Sequence, residues 1–189
     1  MKAAVGLRAR KKLATRTALI AAAIRLFARR GFDAVTIDEI SAAADVSPRT
    51  FFRYFAAKEQ VVLHDLEVYK DAFARVLRAP APAASAWTTA RRAALAVARE
   101  ISQRRADLRP RLLLIPTSPL LIAAWTELDS FWRDGLTRHF TAHRRRDPDI
   151  LAGAIVGGLN AALARFLADP ETSPEDLTAR VFELFANRS

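Results

Sequence analysis

The chain has 189 residues, 51% of them hydrophobic and 26% charged, with a formal net charge of +10 and no cysteine. That balance fits a folded globular protein and excludes a disordered one, a disulfide scaffold, thiolate zinc sites and cysteine nucleophiles. No uninterrupted apolar run reaches the roughly eighteen residues of a membrane span, and no apolar core follows the basic start, so a cytoplasmic protein without a leader or membrane partner is expected. The charge is uneven: residues 1–60 hold 12 Lys/Arg against 5 Asp/Glu, a net +7, whereas residues 61–189 hold 18 against 15, a net +3. A polyanionic partner would therefore meet the first third of the chain.

Every clear pattern has helical spacing and none alternates with period two beyond a few residues, so an all-α fold of about nine helices is predicted. Residues 1–14 read as a basic, flexible tail with Lys2, Arg8, Arg10, Lys11 and Lys12. Over residues 15–30, Ala18, Leu19, Ala22, Ala23, Leu26 and Phe27 form one apolar face, and Gly31 supplies the stop. Thr36-Ile37-Asp38-Glu39 has the form of a capping box opening a short helix at about 37–44. Asp45-Val46 is a tight connection, after which Ser47-Pro48 starts a second short helix ending near Phe55. A long helix is expected from Lys58 to about Val76. Pro80 and Pro82 mark a break between two halves. Further helices are expected at about 85–102, 107–115, 119–143, 148–168 and 174–186, the last three each opened by a capping side chain before a proline.

Two short helices joined by a tight turn, with a longer helix before them, make a helix-turn-helix layout. Ile37, Ile40, Val46, Phe51 and Phe55 are spaced to bury a small core. The outer face of the second helix then carries Ser47, Pro48, Arg49, Thr50, Phe52, Arg53 and Tyr54. Arg49 has the fork to engage guanine O6 and N7; Thr50 suits a thymine methyl or a phosphate, and Tyr54 a phosphate oxygen. Lys58, at a helix start, is placed to clamp another phosphate. Phe52 either packs on a thymine methyl or completes the local core.

The run TIDEISAAADVSPRTFFRYFAAKEQVV, extended back through IAAAIRLFARRGFDAV, resembles the DNA-binding domain of TetR-family transcriptional regulators over about residues 15–63. The resemblance rests on the aromatic-glycine stop from Phe27 to Phe32, the Thr36 cap, the Val46-Ser47 entry, the Tyr54-Phe55 end and Lys58-Glu59. It implies a homodimer whose two recognition helices enter successive major grooves of a palindromic double-stranded DNA operator, with a ligand in residues 64–189 changing their separation. By the same resemblance Thr36, Tyr54 and Lys58 hold phosphates while Arg49, Thr50 and Arg53 lie nearer the bases. The chain departs from the family pattern at Arg49, where many members carry glycine or a small residue. It departs again at Phe52-Arg53, where some carry two aromatics.

In the second half, Trp125, Leu128 and Trp132 share a helical stripe. With Trp87, Leu112, Leu113, Leu114 and Ile115 they are candidates to line a pocket for a small hydrophobic ligand; ordinary core packing is the other reading. Thr126, Glu127, Asp129 and His139 are the candidate polar anchors. His139 and His143 have metal-ligand spacing, but Arg138 and Arg144–Arg146 would repel a cation, so neither a metal nor a cofactor is expected. Glycines inside a helix each cost about 1 kcal/mol relative to alanine, so Gly153, Gly157 and Gly158 call for close approach of another helix. Together with Ala154, Ala161, Leu177, Val181, Leu184 and Phe185 they form the candidate dimer face, unless they face the chain's own core. The expected function is a ligand-responsive regulator, most simply a repressor. The alternative is a nonspecific or global DNA-binding protein whose second half only dimerises. No glycine-rich phosphate loop, metal triad or nucleophile motif speaks for an enzyme.

Overall fold

The computed structural model describes residues 6–79, 85–169 and 171–186; Lys2, Pro80 and Pro82 lie outside them. Every regular element among the described residues is helical: α1 (Leu7–Arg30), α2 (Ile37–Ala43), α3 (Pro48–Phe52), α4 (Glu59–Val62), α5 (Leu66–Arg78), α6 (Ala86–Gln103), α7 (Arg105–Leu112), a 3-10 turn (Ile115–Thr117), α8 (Pro119–Ala142), α9 (Pro148–Ala168) and α10 (Pro174–Ala186). The all-α prediction holds, with ten α-helices among these residues.

Besides α3 ending at Phe52 rather than near Phe55 and α7 running Arg105–Leu112 rather than 107–115, two boundaries differ more widely from the sequence reading. First, α1 begins at Leu7 rather than Thr15, so Arg10, Lys11 and Lys12 stand on its first turns instead of in a loose tail. Leu, Ala, Arg and Lys are all strong helix formers, and Thr15 Oγ1 donates back to the Lys11 carbonyl at 3.0 Å. Second, the single long helix expected from Lys58 is two, α4 and α5, parted at residues 63–65. In an unbroken helix the carbonyls of Val61 and Val62 would accept from residues four further on. Here the Val61 carbonyl lies 2.9 Å from His64 Nδ1, and that of Val62 accepts from the Arg111 guanidinium at 3.2 Å.

The helices gather into two compact units. One comprises the chain up to His64 together with Pro110–Ile122; the other comprises Asp65–Arg109 and the chain from Ala123 onward. In the first unit, Leu19, Ala23, Phe27, Phe32, Val35, Ile40, Phe51, Phe55, Val61 and Val62 form a core that Leu114 and Leu121 complete. Gly31 ends α1 at φ 83° and ψ 157°, a conformation open essentially to glycine alone, and its amide caps the Phe27 carbonyl at 2.8 Å. In the second unit, α6 packs against α5 and α10, and α10 against α9. Phe73, Ala90, Ala93, Leu136, Phe140, Ile155, Val156 and Phe182 lie at its centre. The small alanines of α6 admit the larger rings of its neighbours.

Candidate nucleic-acid interface

The helix-turn-helix is built by local hydrogen bonds. Thr36 Oγ1 accepts from the Glu39 amide at 3.2 Å and Glu39 Oε2 accepts from the Thr36 amide at 2.9 Å, closing the capping box. Arg30 fastens it from α1, donating to Glu39 Oε1 at 2.6 Å and to the Ala34 carbonyl at 3.1 Å. The Thr36 amide, the Arg30 guanidinium and the Thr36 hydroxyl together hold the Glu39 carboxyl down at about 2. Asp45, at φ 54°, makes the tight turn, a left-handed position that Asp tolerates better than most residues. Ser47 then caps α3 by accepting from the Thr50 amide at 3.2 Å.

One face of α3 is inward and the other free. Phe51 is fully buried and Phe55 is 3% exposed, their rings 5.6 Å apart. Ser47, Pro48, Arg49, Phe52 and Arg53 are exposed, while Thr50 and Tyr54 are half-buried beside them. The Arg53 guanidinium lies over the Tyr54 ring at 5.2 Å. No Asp or Glu occurs between Val46 and Lys58, so the outward face is cationic without an internal counterion. Lys58 stands apart from this face. Its ammonium donates to the carbonyls of Phe32 (2.9 Å), Asp33 (3.3 Å) and Val35 (3.0 Å) and sits 4.5 Å from the centre of the Phe32 ring. It pins the α1–α2 turn, a role the sequence reading did not assign to it.

The second-half candidates are divided between the two units, with Trp87 and Trp132 packed against the core of the second. Trp87 packs edge-on against Phe182 at 5.1 Å, and Trp132 against Phe73 at 5.0 Å. Leu128 is buried and Trp125 half-buried. His139 is buried with Nε2 donating to the Ala86 carbonyl at 3.0 Å, and burial pushes its imidazole below the ordinary histidine value. His143 Nδ1 donates to the His139 carbonyl at 2.8 Å, so both rings are committed to backbone groups. Asp129 accepts from Asn160 at 2.8 Å and burial raises its carboxyl. Leu112, which is buried, and Leu113, which is exposed, belong to the first unit. A recess of about 460 Å³ on α5 is lined by Asp71, Arg75, Arg78 and Ala79, none of them a predicted pocket residue.

The candidate dimer face divides in two. A Cβ on Gly158 would meet Val181 Cγ1 at 2.8 Å, and Leu177 and Val181 are buried, so these three serve packing of α9 on α10 within the chain. A Cβ on Gly153 or Gly157 would meet nothing within 4 Å. Gly157, Ala161 and Leu184 are exposed, with Gly153, Ala154 and Phe185 half-buried beside them.

Residues 19–64 match the family model of bacterial regulatory proteins of the tetR family, and residues 84–189 match the model of the MftR C-terminal domain. The chain belongs to the TetR family. A TetR-family protein is a DNA-binding transcriptional regulator, not an enzyme. The chain is 44% identical to the HTH-type transcriptional regulator TcmR of Streptomyces glaucescens over 72 residues, 38% of this chain and 32% of TcmR, and so spans about a third of that relative. It is 26% identical over 168 residues to MftR of Mycobacterium tuberculosis, which is named for a regulatory role in mycofactocin biosynthesis; the match covers 86% of this chain and 84% of MftR. The fold is shared with Thermus thermophilus FadR, a TetR-family repressor in complex with lauroyl-CoA. There the TM-score is 0.62 at 23% identity, over 89% of this chain and 92% of FadR.

For this TetR-family chain, sequence reasoning missed Arg30, Arg111 and Ser118. Arg30 supports the capping box from outside it. Arg111 is 1% exposed, its guanidinium 2.7 Å from His64 Nδ1. Ser118 is fully buried and donates to Asp33 Oδ1 at 2.8 Å across 85 residues of sequence. Local patterns carry no sign of partners so distant.

Proposed function

We propose that the chain is a ligand-responsive repressor that binds a palindromic operator as a homodimer and is released by a small hydrophobic molecule held in its second half. Residues 15–63 form the DNA-binding domain and residues 64–189 the regulatory and dimerising one. Arg49, Thr50 and Arg53 face base edges; Thr36, Ser47 and Tyr54 face phosphates. The observation that carries this reading is the acid-free outward face of α3, with Arg49 and Arg53 exposed on a helix whose other side is locked by Phe51 and Phe55. The open surface over Gly153, Gly157, Ala161 and Leu184 supports a second copy packed on α9 and α10. The lauroyl-CoA carried by FadR supports an apolar effector.

Selection of bound sequences from a random DNA pool at physiological salt tests the reading. A palindrome with half-sites about 34–36 Å apart is expected. Recovery of no motif despite tight binding at low salt would overturn it. Arg49→Ala is expected to relax preference at one base pair by about 1–3 kcal/mol, and unchanged selectivity would remove that assignment. Lauroyl-CoA added to the bound operator is the first probe of release.

A further inference from the structure

Phe52 is the one large apolar side chain on the outward face of α3, at 55% exposure. Scattered surface apolars are ordinary and need no explanation; what distinguishes this one is where it stands. It lies between Arg49 and Arg53, both exposed, on the segment that lacks any Asp or Glu. Its inner edge rests on the buried Phe51 ring at 5.7 Å, nearly perpendicular at 84°, so the ring is braced from below and open above. Pro48, one helical turn earlier and also exposed, extends the apolar strip beside the cationic one.

A duplex docked on the two arginines must cover Phe52. The major groove presents hydrogen-bonding groups at every position but one kind of apolar group, the thymine C5 methyl. A phenyl ring pressed on amino or carbonyl edges would strip their water and return no hydrogen bond, which weakens binding. On a methyl it strips water from two apolar surfaces at once. We infer that Phe52 is a specificity-determining residue that reads a thymine methyl next to the base pair engaged by Arg49. The inference rests on the operator-binding reading above and names one base of that operator.

The test uses the duplex recovered by selection, with each thymine of the half-site replaced in turn by deoxyuridine, which lacks only the methyl. Wild-type protein is expected to lose roughly fourfold in affinity per half-site at one thymine, the value of about one buried methyl. With both half-sites changed the loss is about fifteenfold on the same value. Phe52→Ala is expected to bind the thymine duplex more weakly and to be indifferent to deoxyuridine at that position, while Phe52→Leu keeps part of the discrimination. A half-site without thymine, equal wild-type affinity for every deoxyuridine duplex, or full deoxyuridine sensitivity in Phe52→Ala would each overturn the inference and leave the repressor reading standing. The wild-type scan does so even where a variant misfolds. A selection that returns no motif removes both.

Discussion

An ammonium has three donors, and Lys58 directs them at three carbonyls of one turn, two of the bonds part-buried. Lys58→Met removes the side-chain donor from those carbonyls and is expected to cost about 1–3 kcal/mol of stability, measured by urea denaturation. The slope of log affinity against log salt should not change. A slope shallower by about 0.9 per half-site would instead put the ammonium on a phosphate in the complex. Glu39 and His139 both titrate below their ordinary values in the folded chain, and each adds a pH-dependent part to its stability. Glu39 titrates near 2 when folded against an ordinary 4.5, so the stability it contributes is present above 4.5 and is lost as pH falls through about 2. His139 is also lowered, by burial first and then by the neighbouring His143, so the unfolded chain takes up that proton more readily than the folded one. Its contribution is present above the ordinary value of about 6.5 and fades as pH drops below it. Thermal melts from pH 8 to 5 should therefore fall with pH. His139→Gln, whose amide can still donate to the Ala86 carbonyl, should flatten that fall.

Adjacent glycines on α9 serve different neighbours. Gly158 lets α10 approach so closely that an added methyl collides with Val181, and Gly158→Ala is expected to destabilise the folded chain by about 1–3 kcal/mol. Gly157 has open space around it, and Gly157→Ala is expected to add about 0.5–1 kcal/mol to the helix. If a second copy covers that face, the same change weakens the dimer. Denaturation at low protein concentration and sedimentation at higher concentration separate the two effects. The break between α4 and α5 has a similar logic: the Arg111 guanidinium takes the Val62 carbonyl, which would have continued the helix. Arg111→Met should lower stability by about 1–3 kcal/mol through the same loss of buried partners.

At the scale of the whole molecule, α9 carries more apolar surface than its own chain covers. It is long and apolar enough to cross a membrane by length and composition, with a mean hydropathy of 1.7, yet 22% of that window is buried. Ala152, Ile155, Val156 and Phe166 face inward and Asn160 is bonded to Asp129, which fixes it as a packed helix of the second unit. The outward remainder calls for a partner, and a second copy is the occupant proposed here. Its consequence is measurable: each tenfold rise in protein concentration should stabilise the folded dimer by about 1.4 kcal/mol. Gly157→Leu should abolish that dependence. A concentration-dependent melt that survives in Gly157→Leu would move the interface elsewhere.

Local order alone made the DNA-binding third legible. The Thr36 and Ser47 caps, the Gly31 stop and the inward Phe51 depend on neighbours within four residues, so the sequence by itself determined the helix-turn-helix; that Phe52 stands outward rather than in the local core was read from the structure. The hydrogen-bonding partners of Lys58, Arg111 and Ser118 lie 23 to 85 residues away. So does the choice between Gly157 and Gly158, since both are glycines in one helix and only the position of α10 tells them apart. Such pairings depend on how distant segments meet, and a periodic pattern records which face of a helix is apolar but not what covers it. That was decided by the tertiary structure alone.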